Sequence, residues 1–521
     1  MLPGKIATLL IIATFLSVIG ALIVASRYRA TMQRLMKIIQ NSPSTATVDA
    51  STTLIPVSTG QAPPIPLSLD DNRRARRNLV AAFIALTLLM ALTRTIITQL
   101  IADGPVTLKT VMTLGAAYAW PVIPVIAVID RWRRRRLVGT LLLWFVAAVA
   151  LLTWRTNENI SFAQVFFWMS FDIGLPLIVV TALCLGGATR AVGPWLAPLF
   201  ILLCWASQAG VDLLNLLVEQ GSPLIYWLVG WLPPVGGIAL FALAPWLIAW
   251  WPALAIGRWL AGAYARRQIS ELFYLFTAVW AIALTGPAIG AIASLGWGAL
   301  VDFLPLLWIP LGAKVMQATT GHRPPGRPPT LLVLRVFQQD ANVQDLFDRV
   351  IERWRLTGNT VLIAGTDLVD RTIDAEDIFT FLDGRLAERF ILQAGDVDRR
   401  LSSFELQPDA EGRYRVNECY CHDTTWQHAL AGLLRASDVV LMDLRNFVAA
   451  NKGCLYELET LSTAPDLKCV VVLVNDRTEM AAAQAATSQA PARRFVWLAQ
   501  QGIAPLGTEQ VLAPLFATIS A

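Results

Sequence analysis

The stretch SDVVLMDLRNFVAANKGCLYELETL, residues 437–461, decides how the carboxy-terminal part of this chain folds. It opens with an apolar run, Val439, Val440, Leu441 and Met442, closed by Asp443. A run that short, bounded by polar residues, predicts a strand buried on both faces, as in a parallel sheet. NKGCLYEL (451–458) then opens a helix and places Glu457 about one turn in. A carboxylate there is either an ordinary residue favoured by the helix dipole or a group aimed at a ligand.

The flanking sequence repeats the pattern. LLVLRVF (331–337), TVLIAG (360–365) and CVVVLVN (469–475) read as further strands. Between them, NVQDLFDRVIERWRLTG has apolar residues at helical spacing and Gly358 as a stop. DAEDIFTFLDGRLAERFI reads as helical, and TTWQHALAGLLRAS (424–437) as a helix capped by Thr424 or Thr425. RYRVNECYCHD reads as part of an irregular polar stretch, and a last helix is expected near 508–519. Buried strands alternating with helices predict an α/β doubly wound sheet. Ligands in such sheets sit beyond the carboxyl ends of the strands. That rule selects Phe337 after the first strand, Asp367 after the second, Asp443 and Arg445 after the third, and residues 475–477 after the fourth. Arg335 is unusual inside a buried strand and is expected either at a sheet edge or beside an acid.

The rest of the chain has a different solvent. The 521 residues are 55% hydrophobic and 15% charged, with mean hydropathy +0.54, too apolar for a water-soluble protein of this size. The excess lies before residue 328, in apolar runs of about 20 residues, the length of a bilayer-crossing helix. Charge divides at the same place. From residue 328 onward there are 18 basic and 26 acidic residues, a net of −8, which leaves 24 against 11, a net of +13, to the first 327. The basic surplus therefore reads as membrane topology and contact with the lipid bilayer. No nucleic-acid partner is expected, because the α/β part is acidic.

Nine spans are expected: 6–25, 79–101, 110–130, 137–154, 163–187, 193–216, one from about 225 to 266, and two within 271–317. The domain plan is an anchor helix (1–26), a Ser/Thr/Pro-rich flexible cytoplasmic loop (27–78), a helical membrane domain (79–320), a Pro-rich linker (321–329) and an α/β domain (330–521). Basic clusters at 27–37, 73–77, 131–136, 190, 266–267 and 323–327 fall on one side if the amino terminus is outside. The opposite loops are poor in basic residues, which predicts a cytoplasmic tail. With no organelle signal, a bacterial inner membrane is the expected location. Asp172, Asp212 and Asp302 lie in or near spans, and the reading pairs none of them with a mid-span Lys or Arg.

Residues 437–461 resemble the strand–loop–helix of the TIR domain superfamily, whose C-x-x-E-L pattern stands here as Cys454-Leu455-Tyr456-Glu457-Leu458. They also resemble nucleoside 2-deoxyribosyltransferases through Asp443-Leu444 and Tyr456-Glu457-Leu458. The resemblance is close over about 25 residues and extends to the order of elements over about 190. Gly453 stands where the TIR pattern has a Trp, and RYRVNECYCHD is foreign to both families. The resemblance implies a polytopic α-helical membrane domain followed by an α/β doubly wound (flavodoxin-like, TIR-like) cytoplasmic domain. It implies Glu457 as the catalytic residue of N-glycosidic bond cleavage, with NAD as substrate rather than cofactor, and self-association through TIR-like domains. Asp443 is then expected on ribose hydroxyls and Arg445 on a phosphate. Phe337, Asp367 and Asn451 complete the expected substrate contacts.

Two other function classes stay open. One is a non-catalytic module that binds a nucleotide or a protein and is coupled to a membrane sensor. The other is a transporter or channel with a regulatory tail, carried by the intramembrane acids. The six cysteines form no disulfide framework in a cytoplasmic setting. CYCH (419–422) with His428 lacks the usual zinc spacing, so no metal is expected. Cys454, near a helix start, is a candidate for a lowered thiol pKa, whereas the TIR resemblance implies a structural cysteine there.

Overall fold

The computed structural model describes residues 3–41, 63–155, 160–184, 187–320, 326–336, 346–364, 375–421, 424–465, 467–502 and 506–520. They divide into two units. One comprises Met1–Tyr28, Ala82–Lys314 and Thr372–Asp383, and the other Arg29–Ala81, Val315–Arg371 and Gly384–Ala521.

The first unit is a helical bundle. It draws on α1 (Pro3–Asn41), α2 (Leu69–Ile101), α3 (Leu108–Tyr118), α4 (Val122–Ile129), α5 (Arg134–Arg155), α6 (Phe162–Met169) and α7 (Leu175–Cys184). It continues through α8 (Gly187–Glu219), α9 (Pro223–Trp231), α10 (Pro234–Ala265), α11 (Glu271–Leu295), a 3-10 segment (Gly296–Leu307) and α12 (Trp308–Thr320). Among the described residues, eight helices are long and apolar enough to cross a membrane, or nine if α3 and α4, bent by 48°, count as one. By length and composition this is a multi-pass membrane protein. Where helices approach closely, small residues mediate the contact. A Cβ on Gly210 of α8 would collide with the Phe241 carbonyl oxygen of α10.

The second unit is built on a seven-stranded, all-parallel sheet. Its strands are β1 (Thr330–Arg335), β2 (Asn359–Ala364), β3 (Phe390–Ile391), β4 (Val416–Cys421), β5 (Val439–Asp443), β6 (Val470–Asn475) and β7 (Phe495–Gln500), in the order β3-β4-β2-β1-β5-β6-β7. Four of these were legible as continuous apolar runs. β4 lies in the RYRVNECYCHD stretch, which the alternation reading left irregular, because half its side chains are polar. β3 and β7 were also missed: one is two residues long, and the other is only half-buried.

The helices sort by the direction the chain moves across the sheet, as right-handed crossovers require. Steps from β3 to β4, β4 to β5, β5 to β6 and β6 to β7 run one way. Their helices are α14 (Asp396–Ser402), α15 (Trp426–Arg435), α16 (Lys452–Thr463) and α17 (Met480–Ala486). They share a core with Leu332, Leu334, Val361, Ile363, Val440, Met442, Val470 and Val472. The β1-to-β2 step runs the other way, through Leu346–Ile351 and Glu352–Trp354. There Trp354 stacks on Phe516 of α18 (Thr508–Ser520), ring centroids 5.1 Å apart. Burying such side chains stabilises the domain by about 1.5–3 kcal/mol each.

Two boundaries differ from the sequence plan. Residues 42–62 of the expected flexible loop lie outside the described residues, but from residue 63 the loop belongs to the α/β unit. Ile65 N–H donates to the Arg327 carbonyl (2.9 Å). Buried Asn72 donates to the Arg353 carbonyl (2.6 Å) and Thr357 Oγ1 (3.0 Å), and Arg73 pairs with Glu509 (2.6 Å). Conversely, α13 (Ala375–Leu382), between β2 and β3 in the sequence, belongs to the helical unit. Phe379 stacks on Tyr264 at 4.8 Å and meets the edge of Tyr274 at 5.3 Å, and Phe381 meets Tyr28 at 6.0 Å.

Candidate functional site

The candidate site lies where the chain changes direction across the sheet, at the carboxyl ends of β1 and β5. These strands are paired from Leu331 with Val439 to Arg335 with Asp443. Such a switch point leaves an opening between the loops that depart to opposite sides.

The loop leaving β5 is held in one shape. Asn446 takes a left-handed backbone (φ 63°), which Asn tolerates better than most residues. Its N–H donates to Asn475 Oδ1, and Asn475 Nδ2 donates back to Asn446 Oδ1, both at 2.9 Å. Thr478 Oγ1 donates to the Leu444 carbonyl (2.9 Å), and Ala449 N–H donates to Glu479 (2.8 Å). The β6 loop thus braces the β5 loop. Asn451 precedes α16, but its side chain turns back to accept from Val448 N–H (3.0 Å) and does not cap the helix.

Glu457 lies on α16 beside Leu458 and Leu461 of the core and is 3% exposed. Its Oε2 has no hydrogen-bond partner among the described residues. Burial pushes its carboxyl up to about 8, against the opposing pull of the Arg335 guanidinium. Arg335, at the end of central strand β1, is itself buried, so it is not at a sheet edge, and its charge acts on Glu457. Desolvation outweighs the Arg335 charge at Glu457, because a buried carboxylate loses its hydration.

Asp443 and Arg445 come together, and mainly with each other. Arg445 Nε and Nη2 donate to the two carboxylate oxygens of Asp443 (2.8 and 2.6 Å), and Arg445 N–H adds a third bond (3.1 Å). Arg445 Nη1 donates to Gln500 at the end of β7 (3.0 Å). Both side chains are buried. In this state neither is presented to a sugar or a phosphate. Gln500 escaped the sequence reading because β7 did. Phe337 and Asp367 lie outside the described residues.

Burial raises the thiols of the α/β unit. Burial, with Glu457 nearby, pushes the Cys454 thiol up to about 12, which reverses the expected lowering. Cys419 is pushed up to about 12 and Cys421 is raised further. Thr425 precedes α15 without capping it; its hydroxyl donates to the Ile391 carbonyl (3.1 Å). Among the described residues no three His, Cys, Asp or Glu side chains are grouped to hold a metal ion, and His422 lies outside them.

The helical unit corrects one reading. Asp172 is paired: Arg94 Nη2 of α2 donates to its Oδ1 at 2.8 Å, with the two side chains 3% and 11% exposed. The partner was invisible because it lies 78 residues away. Asp212 accepts from Gln208 (2.9 Å) at an exposed position.

No protein-family profile matches this chain, and no curated protein and no solved structure is significantly similar to it.

Proposed function

We propose that the chain is a membrane-anchored signalling or effector protein whose flavodoxin-like, TIR-like α/β domain cleaves the N-glycosidic bond of NAD or a related nucleotide. The observation that carries this reading is Glu457: a buried carboxyl with an oxygen that has no hydrogen-bond partner among the described residues, within range of the charge of Arg335 at the end of β1. Strands β2-β1-β5-β6-β7, numbered by themselves, run 2-1-3-4-5, the order of flavodoxin-like folds. β3 and β4 are an addition at one edge.

The chemistry follows from burial. Glycosidic cleavage passes through an oxocarbenium-like state. A carboxylate in a low-dielectric setting stabilises that cation more strongly than one in water. The cationic nicotinamide ring, brought close, favours ionised Glu457 and releases its proton. Asp443 and Arg445 reach ribose and phosphate only by giving up their mutual bonds. In this reading the α/β domain is cytoplasmic, the amino terminus lies outside a bacterial inner membrane, and self-association through the α/β domains opens the site.

A second reading is favoured by the closed Asp443–Arg445 pair. It is a non-catalytic nucleotide- or protein-binding module that answers to a membrane sensor.

The test is NAD consumption by the full chain in liposomes, at low and high surface density, with Glu457→Gln beside it. The full chain is needed because α13 has its aromatic partners in the helical unit. Turnover lost in Glu457→Gln supports cleavage. No turnover at either density, with NAD or its nucleotide analogues raising the melting temperature, selects the binding module.

A further inference from the structure

The helical unit holds a second polar cluster. Asp172 sits at the centre of the apolar span Phe162–Cys184, on a π-helical turn, Ser170–Gly174, that joins α6 to α7. Such turns widen a helix locally and recur at functional positions. Arg94 pairs with Asp172 and lays its guanidinium over the Tyr118 ring, 3.9 Å from the centroid. Trp308 Nε1–H donates to Thr93 Oγ1 (2.9 Å), tying the end of the 3-10 segment to α2 one residue from Arg94.

Asp302, on that 3-10 segment, completes the cluster. It is 7% exposed, and among the described residues it has no hydrogen bond or ion pair. It is close enough to Arg94 and Asp172 for both charges to act on it. Tyr118 on α3 is a neutral phenol, and α11, packed along the 3-10 segment, has its titratable residues Glu271 and Tyr274 within its first turn. Two carboxylates thus share the field of one guanidinium, and that guanidinium is already bonded to Asp172. Among the described residues, Arg94 Nη1 and Asp172 Oδ2 are buried without hydrogen-bond partners.

From this geometry we infer that Asp302 is a proton-binding site inside the membrane. A solvent proton adds to a carboxylate oxygen of Asp302, and the cluster passes from a net charge of −1 to neutral while the Arg94–Asp172 pair is kept. A proton is the cation this site accepts because a metal ion needs several oxygen ligands, and no such group of acids and histidines is present among the described residues. Leaving a second carboxylate charged in a dry bundle is the costly alternative. The inference stands apart from the chemistry of Glu457.

The experiment uses the full chain in liposomes and a hydrophobic carbodiimide, which modifies carboxyls that are protonated in apolar surroundings. Labelling is followed by intact mass and peptide mapping from about pH 5 to about pH 9. The expected result is a single adduct at Asp302 that declines as pH rises. It should be absent in Asp302→Asn and unaffected by sodium at fixed pH. Labelling of the unsubstituted chain is decisive whether or not Asp302→Asn folds. No adduct at Asp302, or an adduct independent of pH, overturns the proposal. Protection by sodium at constant pH overturns it in favour of an alkali-cation site.

Discussion

Burial among apolar neighbours pushes the Glu457 carboxyl up to about 8, against the opposing pull of the Arg335 guanidinium. In the unfolded chain it titrates near the ordinary 4.5, and in the fold near 8. Below both values the two states bind the proton equally. Between them the unfolded state loses it first, so stability falls as pH rises, by up to about 1.4 kcal/mol per pH unit. Above about 8 the loss is complete. Glu457→Gln is expected to flatten this slope and to be the more stable protein at pH 8. The check is thermal unfolding in detergent across this range, read by exposure of the buried thiols Cys419, Cys454 and Cys469. Identical pH profiles in both proteins would show that the folded carboxyl is already ionised. Asp443 and Arg445 illustrate the opposite case, since two buried charges satisfy each other and need no ligand to do so.

At the scale of elements, the β2–β3 connection is the unexpected part. Its helix, α13, carries Ile378 and Phe379 at 2% and 3% exposure, buried in the helical unit. Tyr28, Tyr264 and Tyr274, which its two phenylalanines meet, all flank basic clusters expected on one membrane side. Phe379→Ala is expected to cost about 3–5 kcal/mol, since it deletes a ring that stacks on Tyr264 and meets the edge of Tyr274. A drop in melting temperature of the full chain in detergent checks this, and a change within error would mean that the cradle contributes nothing. The same burial explains a sequence-level error. The amphipathic pattern of DAEDIFTFL was read as a helix on the α/β sheet, but periodicity reports only that a face is buried, not against what.

Over the whole molecule, spans that alternate from an outside amino terminus place Val106 and Gln220 outside and Arg134 and Gln268 inside. All four are exposed at helix ends or loops. Val106→Cys and Gln220→Cys are expected to react with an impermeant maleimide on intact cells. Arg134→Cys and Gln268→Cys should react only after permeabilisation, with the unsubstituted chain as background. Labelling of Gln268→Cys in intact cells would reverse the orientation of that helix end and move α13 outside with it.

Some of this was determined by sequence alone. Long apolar runs and the divided charge specify membrane helices, because the bilayer accepts only such segments. Short β-branched runs specify β1, β2, β5 and β6, because central parallel strands are buried on both faces. Glu457 was legible as a candidate through its place in the C-x-x-E-L pattern, Cys454 to Leu458, that resembles TIR domains. Tertiary structure decided the rest. β4 and β7 are visible only through their partners, since their own side chains are half polar or half exposed. The pairs Arg445–Asp443 and Arg94–Asp172, the exposure of Glu457 and the home of α13 depend on which distant groups meet. Whether a buried charge is compensated is a matter of distance in space, which spacing along the chain does not contain.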